Sequence, residues 1–163
     1  MFFEPVELLG DIVLTRRNFF VLSGAFIVGT SGIIPAFADN EDPTKLINDL
    51  RSQNNRGPLA PDSQLEKMAQ DQANLMADAQ RVAHTISSGN DFVTRLRKFG
   101  IHGAAGENLC AGRSTVSAAY NVWMNSPGHR SNMLYPSFHY YGLAKATSPK
   151  RPNYVYWAME FKR

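Results

Sequence analysis

Six side chains carry the chemical potential of this sequence: His84, His102, Glu107, Ser126, His129 and His139. Imidazole and carboxylate are the groups that hold divalent cations or move protons near neutral pH. None of the six stands in a local signature, because the chain has no His-Glu-x-x-His, no Cys-x-x-Cys and no Gly-x-Ser-x-Gly. Any joint chemistry therefore depends on the fold bringing them together. Glu107 is the only acid between Asp91 and Glu160 and sits near Gly106 and Ala105, so it is either a surface residue or one held for a purpose. His84 follows directly on Ala83, the last apolar residue of a helical pattern. His129 falls in the first turn of a helix opened by Ser126-Pro127, where the helix dipole disfavours imidazolium. A neutral ring can bind a metal or accept a proton. Taken singly, each histidine also reads as a capping or surface residue.

The elements that must position these groups are marked by periodicity and caps. Asp42-Pro43, followed by Leu46, Ile47 and Leu50, predicts a first helix that stops at Asn54-Asn55-Arg56-Gly57-Pro58. Ser63-x-x-Glu66 is a capping box, and Leu65, Met68, Ala69, Ala73, Met76, Ala79 and Ala83 recur at helical spacing behind it. Phe92, Val93, Leu96 and Phe99 predict a short helix closed by Gly100. The glycine-rich stretch from His102 to Gly112 enters a short strand at Gly106-Glu107-Asn108-Leu109-Cys110-Ala111. Ser114 or Thr115 then caps a helix bearing Val116, Ala119, Tyr120 and Trp123, and Pro136 ends the brief helix after Ser126. The tail changes period. Val155, Trp157, Met159 and Phe161 alternate with Tyr154, Tyr156, Ala158, Glu160 and Lys162, which predicts a strand with one buried face, paired with another over residues 138–147. Helices first and a hairpin last imply an α+β domain in which helices cover an antiparallel sheet.

The first 38 residues read differently. Arg16-Arg17 precede an apolar stretch, Phe19 to Ile34, that ends in Ala36-Phe37-Ala38, and this resembles a twin-arginine signal peptide cut after Ala38. The alternative is a permanent anchor. The stretch has 16 residues and is broken by Ser23, Gly24, Gly29, Ser31 and Gly32, whereas a spanning helix wants about 20 apolar ones. The expectation is therefore a cleaved leader over residues 1–38, one domain over residues 39–163, a periplasmic or secreted location, and no stable membrane span after cleavage. The net charge of +3 comes from residues scattered along the chain, so a nucleic-acid partner is not expected. The single cysteine, Cys110, sits between Leu109 and Ala111 and suits a buried thiol better than a reactive one.

At His84, Gly106-Glu107-Asn108-Leu109 and Trp123-Met124-Asn125-Ser126-Pro127-Gly128-His129-Arg130-Ser131-Asn132-Met133-Leu134, the chain resembles the CAP superfamily of cysteine-rich secretory proteins, antigen 5 and pathogenesis-related-1, in its short bacterial form. The likeness covers about Leu46 to Phe161. It implies an α-β-α sandwich with helices on both faces of a small sheet, and a cleft in which two histidines and two glutamates converge. By position, His84 and His129 look like the histidines, able to hold a divalent cation such as Zn²⁺, and Glu107 looks like the first glutamate and the candidate catalytic group. The second glutamate, expected three residues after the helix tryptophan, is Ser126 here, which puts in doubt any mechanism needing both carboxylates. Asn108 and Ser126 are placed to support the site.

Three functions follow as expectations. The first is a non-catalytic exported module whose cleft takes a small apolar or lipid-like ligand, a divalent metal, or both, with Tyr140, Tyr141, Tyr154, Tyr156 and Trp157 as the supply of aromatic lining. The second is a zinc-dependent hydrolase, with Glu107 joining the histidines at the ion or activating water. The third is a structural or adhesive envelope protein in which the histidines are incidental.

Overall fold

The computed structural model describes residues 41–163; the expected leader and its arginine pair lie outside them. The elements run α1 Pro43–Gln53, β1 Ala60–Pro61, α2 Ser63–Ala79, α3 Phe92–Lys98, β2 Ala105–Ala111, α4 Val116–Met124, α5 Pro127–Met133, β3 Tyr140–Ser148 and β4 Arg151–Lys162. Caps explain several of these boundaries. The Asp42 carboxylate accepts from the amides of Thr44 and Lys45, and Pro43 occupies the first turn of α1, where its missing N–H costs nothing. At α2 the cap lies one residue earlier than expected: Asp62, not Ser63, accepts from the amides of Gln64 and Leu65, both at 3.0 Å. The Ser63–Glu66 capping box is therefore not formed. Aspartate is at least as good an N-cap as serine, so the preceding residue takes the position.

The far end of α2 also differs from the periodicity. The helix stops at Ala79, and Gln80 turns left-handed at φ 52° to close it. Ala83 and His84 thus lie in the following loop, and His84 does not cap the helix.

The sheet has the order β1-β3-β4-β2. β3 and β4 form the expected antiparallel hairpin, and β2 adds antiparallel to the other side of β4. A two-residue edge strand, β1, pairs parallel with β3 and makes the sheet mixed. β4 is central and buried on both faces, in contrast to the one buried face its alternation suggests. Trp157, Met159 and Phe161 pack with Ile47 of α1, Tyr120 and Trp123 of α4 and Met133 of α5. Tyr156 and Ala158 pack on the opposite face with Ala69, Ala73 and Met76 of α2. Helices on both faces leave a middle strand no solvent side. α3 rests against α2 through Phe92, Leu96 and Phe99 on Leu65 and Met68. The result is an α-β-α sandwich.

Two close approaches hold the layers in place. A Cβ at Gly142 would sit 2.2 Å from the Glu66 amide nitrogen, so only glycine lets β3 pass under the start of α2. Arg51 is fully buried and donates to the carbonyls of Gly57 at 2.6 Å and Met133 at 2.7 Å, tying the end of α1 to the end of α5. Among the described residues no helix is long and apolar enough to cross a membrane.

Candidate functional site

Glu107 is the centre of the arrangement. On β2, the outermost strand on its side of the sheet, its carboxyl group is buried, with only 2% of the side chain exposed. One oxygen lies 2.7 Å from Nδ1 of His84, and the other accepts a hydrogen bond from Nη2 of Arg95. Arg95 is 1% exposed and uses Nη1 to reach the His84 carbonyl at 2.8 Å and the Asn90 carbonyl at 2.8 Å. The guanidinium thus compensates the buried carboxylate and also pins the loop that carries His84. Leu96 and Phe99 give the reason Arg95 points inward: with Phe92, they put residue 95 on the apolar face of α3.

His84 presents 60% of its side chain to solvent. Its pKa is raised above the ordinary 6.5, first by the hydrogen bond it makes to Glu107 and further by that carboxylate's charge, against burial and Arg95. Because Nδ1 faces Glu107, its proton stays there and the lone pair of the neutral ring sits on Nε2.

His129 comes from the other face of β2. Asn108 donates from Nδ2 to the His129 carbonyl at 3.0 Å, and Asn132 donates to Oδ1 of Asn108 at 2.9 Å and to the Glu107 carbonyl at 3.2 Å. These amides fasten α5 to β2. The His129 pKa is lowered, first by burial and then by the nearby His84, with which it would repel as a second cation. The direction is the one expected from the sequence, with burial as its first cause. Nδ1 of His129 is buried without a hydrogen-bond partner.

The remaining candidates scatter. Ser126 is the N-cap residue of α5, yet its side chain makes no capping hydrogen bond. His102 and His139 are exposed. Cys110 is buried, and burial pushes its thiol up to about 12, which makes it inert. Tyr141, Tyr156 and Trp157 belong to the hydrophobic core, leaving only Tyr140 and Tyr154 partly free. A hollow of about 210 Å³ elsewhere, lined by Thr44, Asp62, Glu66 and Tyr141 among others, contains none of the residues around Glu107. Among the described residues no group of three or more His, Cys, Asp or Glu side chains is arranged to hold a metal ion. Each oxygen of Glu107 takes one contact, with His84 and with Arg95, so the carboxylate orients that imidazole.

Sequence reasoning missed Arg95, Asn132 and Glu160, which is fully buried opposite Glu107 across the β2/β4 pair. The spacing 92-95-96-99 was the available sign of Arg95. Glu160 gave none, since an acid in an alternating strand reads as a solvent-facing one.

Comparisons with known proteins agree with this architecture. YkwD of Bacillus subtilis (strain 168) is 32% identical over 105 residues, 64% of this chain and 41% of that protein. The crystal structure of an extracellular protein containing a SCP domain from Bacillus anthracis superposes with a TM-score of 0.64 at 30% identity, covering 74% of this chain and 39% of the other. An outer surface protein of Borrelia burgdorferi gives 0.65 at 24% identity, covering 72% and 86%. The chain spans about two fifths of the length of the two Bacillus relatives. Residues 44–161 match the cysteine-rich secretory protein family, CAP, over most of the chain, and with the sandwich and the blocks around His84, Glu107 and His129 this establishes that the chain belongs to that family.

Proposed function

We propose that this chain is an extracellular CAP-domain module that binds a divalent cation such as Zn²⁺ through His84 and His129, and that it acts by binding and not by catalysis. The observation that carries the proposal is the 2.7 Å contact between Nδ1 of His84 and Glu107. A carboxylate behind one imidazole nitrogen fixes the ring and raises the basicity of the other, the usual support of a metal-bound histidine. The His129 side fits as well: its pKa is lowered first by burial and then by the charge His84 would carry. Two nitrogen donors leave room for solvent or a ligand atom to complete four-coordination. The hydrolase reading is less well supported, because the Glu107 side chain is only 2% exposed and offers water little access.

An extracellular location is supported by the relative from Bacillus anthracis, which is an extracellular protein, and by the Arg16-Arg17 leader with its Ala36-x-Ala38 end. Calorimetric titration of Zn²⁺ into the full chain tests the metal site. One ion per chain is expected. Glu107→Gln should weaken binding about 10- to 100-fold, and loss of either histidine should weaken it more. Equal binding by the His84→Ala/His129→Ala double variant would overturn the proposal.

A further inference from the structure

Glu160 on β4 lies directly opposite Glu107 on β2 in the antiparallel register, so the two side chains share the face covered by α2 and α3. Both are buried, Glu160 completely. No donor among the described residues reaches either carboxyl oxygen of Glu160. The charged groups that act on it are the Glu107 carboxylate from β2 and the Arg95 guanidinium from α3, and its partner on β3 is Gly142, which brings no charge. One guanidinium therefore faces two carboxyl groups in a sealed space, and Arg95 already donates to Glu107.

We infer that Glu160 is carried as a neutral carboxylic acid whose proton bridges to Glu107, making it the second acid of this site and a positioning residue that acts on His84 through Glu107. Charge counting gives the same answer as geometry. With Glu107 ionised and Glu160 protonated, the buried set is neutral, whereas two carboxylates would leave one charge uncompensated in a low-dielectric space. A carboxyl group with no other donor in reach is also satisfied only by supplying the donor itself. Burial, with Glu107 reinforcing it, pushes the Glu160 pKa well above the ordinary 4.5. The second acid, which the family resemblance places at Ser126, is on this inference supplied from the last strand. This inference does not rest on a metal; it holds whatever the cleft binds.

The test is carboxyl ¹³C NMR of the full chain, labelled at glutamate, followed through the neutral pH range without added metal. One glutamate carboxyl should keep the shift of the protonated acid at neutral pH, and that resonance should vanish in Glu160→Gln. The His84 ring is the second readout. Glutamine keeps a neutral donor at this position, so the His84 titration midpoint should stay where it is in the wild type. An ionised Glu160 would instead lower that midpoint when replaced, because a negative charge would have been removed. Should Glu160→Gln fail to fold, the wild-type spectrum decides alone: glutamate carboxyls all ionised at neutral pH would overturn the inference.

Discussion

Arg95, Glu107 and Glu160 show how a few buried charges organise a site from residues far apart along the chain. Arg95 and Glu107 are each almost wholly shielded, at 1% and 2% side-chain exposure. Removing the guanidinium leaves Glu107 uncompensated, and Arg95→Met should cost about 3–5 kcal/mol in chemical denaturation. It should also free the His84 loop, which Arg95 holds by backbone carbonyls. Glu160 makes the opposite prediction. Its folded-state pKa lies above 4.5, so the unfolded chain ionises first and the fold loses stability as pH rises from 4.5 toward the folded value. Glu160→Gln should therefore be more stable than the wild type at neutral pH and no different below 4.5, as read from urea midpoints at several pH values. His84 has a raised pKa as well, and its contact with Glu107 adds stability below 6.5 that disappears as pH rises through the folded value. With that side chain 60% exposed, solvent screening keeps the effect small.

Elements decide where these residues stand, and their boundaries are the part that periodicity alone misplaces. Asp62 caps α2 and Ser63 does not, so Asp62→Ala should cost about 1 kcal/mol while Ser63→Ala leaves thermal stability nearly unchanged. Gly142→Ala should be worse, since its Cβ would meet the backbone of Glu66 and Leu65 at 2.2 Å; a loss of at least about 1–3 kcal/mol follows from forced displacement of packed backbone. The helical stripes of α1, α2 and α4 were legible because one face of each is apolar at the helical period. The hairpin was legible from its alternation. The double burial of β4 was not, because Tyr156, Ala158 and Glu160 look like an outward face until α2 is known to cover them. Ala83 extended the stripe of α2 by chance past a helix that Gln80 had ended, and β1, two residues long, leaves no period to read. At the site, the likeness of local blocks pointed to His84, Glu107 and His129, while Asn132 and Glu160 became visible only through the pairing of β2 with its neighbours.

At the largest scale, the described residues form a sandwich whose edge strand, β2, holds one histidine-bearing loop on one face and α5 on the other. On the proposed twin-arginine route, replacing Arg16 and Arg17 together by Lys should leave the chain in the cytoplasm in a fractionation assay, because the arginine pair is the feature that such a route reads. Zinc binding should weaken as pH falls through the raised His84 midpoint, since protons compete for the same nitrogen. The most direct measurement is X-ray absorption at the zinc edge on the full chain loaded with one equivalent of Zn²⁺. Two imidazole nitrogens at about 2.0–2.1 Å, falling to none in His84→Ala/His129→Ala, is the predicted result. A shell of oxygen alone, or two imidazoles that persist in the double variant, would contradict it.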